Sequence, residues 1–433
     1  MSVSVTPASS PSNVPWWKEP TKDQWYAYIA AWLGWTLDAF DFTIFLLIMV
    51  PIAQEFDVPI TAVAIVFTLT LWLRLVGATA AGWMADRMGR KTPLMISILW
   101  YSLCNFIAGF SPSFYFLLFW RALLGIGMGA EWPAGAALAM ESWPARSRGF
   151  MSGILQGSWG LGFALSALAY GLLYEDIGWR GLLWIGILPA LVVVWIRFFV
   201  KEPEVWAENK RLQTERKAEV HAPLFAIFKR QHIYNTLTGC LWMGAAFCVY
   251  YSIWALFSTY LQKELQWTPG MVATPLFWAN IVVFVGSGLW GVVADKWGRR
   301  PAIIVPCIIA VFVTPLYLWT TDPLWIVFGF ILQGVFGGSI YGQNPSYLSE
   351  RFPTEVRATA SGFVYHQGAI WGGLVAPVIS YFAVEQKMGF AMPMMVSTMV
   401  FLLIVIVAVA LGPETKGKIL TADLETIKAA EAP

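Results

Sequence analysis

The tightest constraint on this chain is its series of long apolar stretches. Twelve of them approach or exceed the roughly 20 residues a helix needs to cross a bilayer, at about 24–52, 61–85, 93–110, 113–140, 149–173, 181–200, 233–262, 271–294, 301–320, 323–349, 357–384 and 388–412. With 58% of the 433 residues hydrophobic and 12% charged, no soluble domain could bury that much apolar surface. In hydrocarbon a segment has to satisfy its own backbone polar groups, so the chain reads as an all-α membrane protein with twelve transmembrane helices. Helices 1 to 6 fill residues 24–200 and helices 7 to 12 fill 233–412, joined by a charged linker at 201–232. Residues 1–23 and 413–433 are tails.

Basic residues near the spans mark the cytoplasmic side. Nearly all of them fall on one side of a twelve-crossing arrangement, and only Arg180, Lys263 and Lys387 fall on the other. Both termini, both tails and the linker are therefore expected in the cytoplasm, in an inner (plasma) membrane protein that works as a monomer. The net charge of +2 is dispersed over short loops, which speaks for topology and against a nucleic-acid partner. Cys104, Cys240, Cys248 and Cys307 all lie in apolar spans without a CxxC spacing, so neither a disulfide nor a metal site is expected. No nucleophile and base arrangement or phosphate loop is present, so the reading is not an enzyme and requires no cofactor. The start, "MSVSVTPASSPSNVPWWKEP", lacks the basic head and short apolar core of a signal peptide.

The chain repeats itself. "GWMADRMGRKTP" (82–93) returns as "GVVADKWGRRPA" (291–302), 209 residues further on, and the same offset carries "ESWPARSRGFMSG" onto "ERFPTEVRATASG". Glu141 then matches Glu350, and Arg148 matches Arg357. A repeat in register at two separate loops makes the chain two homologous, pseudo-symmetric six-helix halves.

An ionisable residue inside a span is a functional candidate by default. All of them here lie in the first half: Asp38 and Asp41 on helix 1, Arg74 on helix 2, Arg121 and Glu131 on helix 4. Asp38 and Asp41 are three residues apart and share a helix face. A carboxylate that gains and loses an Arg partner during a conformational cycle can carry a proton, so Asp38, Asp41 and Glu131 are the proton-coupling candidates. Arg74 and Arg121 are candidates for binding an anion, Arg74 above all, because a guanidinium can hold a carboxylate through a bidentate pair. The second half is neutral at mid-span. It offers Tyr250, Tyr251, Trp254, Asn280, Gln343, Asn344, His366 and Gln367 as substrate-binding candidates, and Pro345 in "YGQNPSY" is expected to break helix 10.

Two six-helix halves, each with G-x-x-x-D-[RK]-x-G-R-[RK] after its second helix, resemble the major facilitator superfamily. The pattern is met at Gly82, Asp86, Arg87, Gly89, Arg90 and Lys91, and again at Gly291, Asp295, Lys296, Gly298, Arg299 and Arg300. Asp86, Arg87, Arg90, Asp295, Lys296 and Arg299 are expected to form a cytoplasmic gate whose bonds hold in one conformation and break in the other. "LDAFDF", "LRLVGA", "RALLGIGMGAEW" and "ESWPARSRG" are similar to the sialate/proton symporter family of sialic-acid and Jen-type monocarboxylate carriers. The resemblance places Asp38, Asp41, Arg74, Arg121 and Glu131 at family motif positions and implies uptake of an organic anion with a proton. The helix 7 signature of fungal Jen-type carriers and the extra hydrophobic pair of some enteric sialic-acid carriers are both missing. A small monocarboxylate such as lactate or pyruvate is the first expectation, and sialic acid is the alternative. Proton-driven export of hydrophobic compounds is a third reading, weakened because helix 5 lacks the G-P pair of the antiporter signature.

Overall fold

A computed structural model describes residues 15–58, 60–216, 223–267 and 269–422. Residues 1–14, 217–222 and 423–433, parts of the expected tails and linker, lie outside the described residues. The described residues contain helices and turns and no strand.

The first half comprises α1 (Lys22–Leu47, continued by Met49–Glu55), α2 (Ile60–Met88), α3 (Lys91–Ala108) and α4 (Phe114–Ser142). α5 and α6 begin as one run, Arg148–Ile185, which turns at Gly178 (φ 63°), and α6 goes on as Pro189–Phe199. The linker carries a polar helix, Glu204–Glu215, and a short one, Pro223–Ala226. The second half comprises α7 (Arg230–Trp254, continued by Phe257–Lys263), α8 (Pro269–Trp297) and α9 (Arg299–Leu318). α10 follows in pieces over residues 323–351, then α11 (Arg357–Ser380, ending in a π turn Tyr381–Glu385) and α12 (Ala391–Leu411). Among the described residues, eight helical stretches are by length and hydropathy able to cross a membrane, and α1, α2, α3 and α5, which carry much of the interior polarity, are not among those eight.

Local chemistry sets the ends. Thr21 and Gln24 form a reciprocal capping box at the start of α1, and Ser113 and Asp322 cap α4 and α10 with their side-chain oxygens. α10 breaks earlier than expected from Pro345. It runs as Pro323–Gln333, a π turn Gly334–Gly338, a 3-10 turn Ser339–Gln343 and a last helix Asn344–Arg351. Pro345 sits in the first turn of that last piece, where no N–H is needed, so it starts a helix and the glycines before it carry the irregular backbone.

The halves meet where α2 packs on α11 and α5 packs on α8. Close approach demands glycine at these seams: a Cβ at Gly153 would stand 2.0 Å from the Ser287 carbonyl oxygen, and one at Gly82 2.6 Å from the Thr359 Cα.

Candidate functional site

Inside the first half the charges sort into separate groups. Arg74 Nη2 donates to Asp38 Oδ2 at 3.0 Å, and both side chains are buried. The guanidinium lies 4.5 Å from the Phe42 ring centroid and 5.4 Å from that of Trp159, which adds cation–π attraction in a desolvated place. Arg74 Nε and Asp38 Oδ1 have no hydrogen-bond partner. Asp41 does not join this pair. Asn105 on α3 donates to its Oδ1 at 3.0 Å and accepts from Arg121 Nη1 at 2.9 Å, so an amide stands between Asp41 and Arg121. Asn105 was not among the candidates, because a lone polar residue in an apolar run carries no periodic signal. Glu131 is buried with neither oxygen partnered, packed so tightly on α1 that a Cβ at Gly34 would come within 2.6 Å of its Oε1.

Between the halves lies a cavity of ≈ 70 Å³. Arg74 is its cationic wall. Aromatic side chains form most of the rest: Trp35, Phe42 and Trp159 from the first half, Phe247, Tyr250, Tyr251, Tyr341 and Tyr365 from the second. Trp132 stacks on Tyr365 (centroids 4.0 Å apart, 17° between planes), and Gln156 accepts from Trp132 Nε1 at 3.0 Å while donating to the Tyr365 hydroxyl at 3.1 Å. This contact joins α4 and α5 to α11 beside the cavity.

Of the expected substrate-binding residues, Arg74, Tyr250, Tyr251 and His366 line the cavity. Arg121 does not; its guanidinium sits against the Phe45 ring at 4.3 Å. Trp254 packs edge-on against Phe330 at 4.9 Å, and Asn280 Nδ2 donates back to Leu276 within α8. Gln343 and Asn344 are buried at the break of α10 and do not line the cavity, although Gly338 and Tyr341 of the same break do. Gln367 faces a larger groove of ≈ 910 Å³ between α7, α11 and α12 and donates to the Cys240 carbonyl at 2.9 Å. That groove is apolar, lacks any charged residue, and has its Ser397 hydroxyl tied to Ser252 at 2.5 Å, as suits a surface facing lipid.

At the linker side the repeat builds the same latch twice. Asp86 accepts from the Ala358 and Thr359 amides at the start of α11 (3.0 and 2.9 Å), and Asp295 accepts from the Gly149 and Phe150 amides at the start of α5 (2.8 and 2.9 Å). Each carboxylate caps a helix of the opposite half, where the helix dipole favours it. Arg90 pairs bidentately with Glu141 and also with Asp86; Arg299 does the same with Glu350 and Asp295. Arg357 then crosses to Glu141 at 2.6 Å and Arg148 to Glu350 at 3.3 Å. Arg87 lies over the Trp83 ring, and Lys296 is exposed, its carbonyl accepting from Lys416. Glu202 and Glu414 add a second tier by capping α3 and α9. Burial pushes the Glu202 carboxyl up, against the two amides that donate to it. The protein is thus closed on this side.

Comparison with known proteins agrees with this architecture. Residues 31–257 and 243–426 match the family described as Major Facilitator Superfamily. A probable 4-methylmuconolactone transporter of Cupriavidus pinatubonensis is 30% identical over 410 residues, 93% of each chain. The sialic acid transporter NanX of Escherichia coli is 28% identical over 93% of this chain and 97% of its own. The solved structure of the proton:xylose symporter XylE superposes with a TM-score of 0.73 at 16% identity, covering 95% of this chain and 99% of that one, which shows a shared fold. This chain is a multi-pass membrane protein that belongs to the Major Facilitator Superfamily, a family of transporters and not of enzymes.

Proposed function

We propose that the protein is a proton-coupled symporter that takes up an organic carboxylate across the inner membrane, with both termini in the cytoplasm. The observation that carries this reading is the buried Arg74–Asp38 pair, whose Arg faces an aromatic cavity between two halves latched on the linker side. A proton arriving on Asp38 releases the guanidinium, and an incoming carboxylate takes its place as the partner. Rocking of the halves then opens the latch. On the other side the proton leaves, Asp38 recovers Arg74 and the anion is displaced. Leak is suppressed because a cycle step that left either charge buried and unpaired would cost several kcal/mol. Asp41 and Glu131 flank this exchange as further carboxyl groups of the same interior.

Eight aromatic walls around a single cation favour a flat, unsaturated carboxylate, whose faces they can stack on. The relative named as a probable 4-methylmuconolactone transporter supports that choice. The small volume in this closed state favours the second reading, lactate or pyruvate. Sialic acid, carried by a 28% identical relative, needs the widest opening of the cavity.

The test is uptake of labelled acids into vesicles with an imposed pH gradient. Accumulation is expected to follow the gradient, to vanish in Asp38→Asn, and to rank flat acids above lactate and sialic acid. Gradient-driven accumulation that survives in Asp38→Asn removes the coupling assignment.

A further inference from the structure

The cavity has a second polar pole that the carboxylate exchange does not use. His366 on α11 lines the cavity and is 1% exposed, sealed edge-on against Trp132 and Tyr365. Its Nδ1 lies 3.1 Å from the Gly362 carbonyl oxygen, one turn back on the same helix. A carbonyl oxygen can only accept, so Nδ1 carries the hydrogen; a buried ring that shares its cavity with the Arg74 guanidinium, and has no carboxylate among the described residues of the cavity wall to offset a second positive charge, is neutral and presents Nε2 as a bare acceptor. Nε2 has no hydrogen-bond partner. A buried acceptor left unmet costs free energy, and no neighbouring residue relieves it here. Arg74 belongs to the first half and His366 to the second, so the two poles stand on opposite sides of the interface between the halves.

We propose that His366 Nε2 reads a hydrogen-bond donor on the substrate, so that the transported acid carries an O–H or N–H group in addition to the carboxylate that Arg74 binds. The inference rests on the carboxylate reading of the site and adds a specificity-determining residue to it. A donor group on the ligand satisfies Nε2, whereas an ether or ring carbon at the same place leaves it orphaned, and sites built around a hydrogen bond reject analogues lacking it strongly. One molecule that touches both poles also bridges the halves.

The experiment uses the full-length protein in lipid nanodiscs and measures binding by competition. The probes are benzoate, its 3- and 4-hydroxy derivatives and their methyl ethers, with lactate against pyruvate as the same contrast on a small frame. A hydroxy acid is expected to bind about tenfold more tightly than its ether or parent, roughly the 1.4 kcal/mol of one satisfied hydrogen bond. In His366→Phe that ratio is expected to fall to about twofold or less, and His366→Gln, which keeps an acceptor oxygen, is expected to retain part of it. Equal binding of hydroxy acid and ether in the wild type, or a ratio unchanged in His366→Phe, overturns the inference. If carboxylates bind in an Arg74-dependent way while the hydroxyl is ignored, the inference alone is lost. If no carboxylate binds, the transport reading falls with it.

Discussion

The two halves share the latch at the linker side and differ in the interior. At the linker side each element has its counterpart 209 residues away: Asp86 and Asp295, Arg90 and Arg299, Glu141 and Glu350, Arg148 and Arg357 make equivalent bonds. In the interior the same offset pairs unlike residues. Asp38 corresponds to Phe247, Asp41 to Tyr250, Arg74 to Val283 and Gln156 to Tyr365, and all four of these counterparts line the cavity. Asn105 and Arg121 correspond to Thr314 and Phe330, and Phe330 stacks on Phe257 at 3.6 Å where the first half has its polar trio. In the proposed cycle, rocking needs both halves to grip alike, whereas charge exchange needs only one and leaves the other free to become a wall.

The largest test of this division writes the second half's residue into the first. Arg74→Val leaves Asp38 buried without a cation, and breaking a buried pair costs about 3–5 kcal/mol, readable as lost thermal stability of the purified protein. The double variant Asp38→Asn/Arg74→Val is expected to regain most of that stability with no gradient-driven uptake. Wild-type stability in Arg74→Val alone breaks the comparison.

Next come Glu141→Gln and Glu350→Gln, each of which weakens charged hydrogen bonds to two Arg residues. Both are expected to shift the closed state by about 1.5–3 kcal/mol, and by similar amounts. Alkylation of a cysteine placed at Ala358, buried in the latch, reports the opening. Unequal responses mean that matched contacts hide unmatched energetics. Asn105→Thr, again the second half's residue, removes the side-chain bridge between Asp41 and Arg121, leaving only the longer 3.5 Å contact of Arg121 Nη1 with the Asp41 carbonyl, and is expected to cost about 1–3 kcal/mol in chemical denaturation.

The smallest effect lies on the far side. Glu55 accepts from Trp179 at 2.6 Å and pairs with Arg180, while its counterpart Glu264 accepts from the Phe390 amide. Burial works to raise the Glu55 carboxyl, but the hydrogen bonds from Arg180 and Trp179 and the Arg180 charge hold it below its ordinary value. Its contribution is therefore present above the ordinary Glu value of about 4.3 and fades as pH falls through the lower folded value. Glu55→Gln is expected to cost at most about 1 kcal/mol at neutral pH, as exposed pairs do, and nothing in acid. A larger cost makes this contact more than a surface tie.

Much of the latch was legible beforehand, because Asp86, Arg90, Asp295 and Arg299 repeat in register, and Glu141 and Arg148 repeat with them. What the spacing withheld was direction: each Asp reaches across to the other half's helix start, a contact set by how the halves dock. The Arg74–Asp38 pair was accessible from the expense of charge in a span. Asn105 and Gln156 were hidden, because a single amide in an apolar run has no period and its value depends on which helix faces it. Arg121 was misplaced for the same reason: its depth follows from counting residues, but the face it turns to follows from packing, and it turns toward Asn105 and not into the cavity.

The amino-acid order alone determined that this chain crosses a bilayer many times, comes in two copies of one unit, and keeps its ionisable interior in the first copy. These are properties of local hydropathy and repetition, and they hold whatever the helices touch. Tertiary structure decided which charge meets which, that the cavity is walled by the second half's aromatics, and that Glu131 and the His366 Nε2 stand without partners. Such facts depend on the rotation of each helix about its axis, which close packing of many neighbours sets together and no single stretch of sequence encodes.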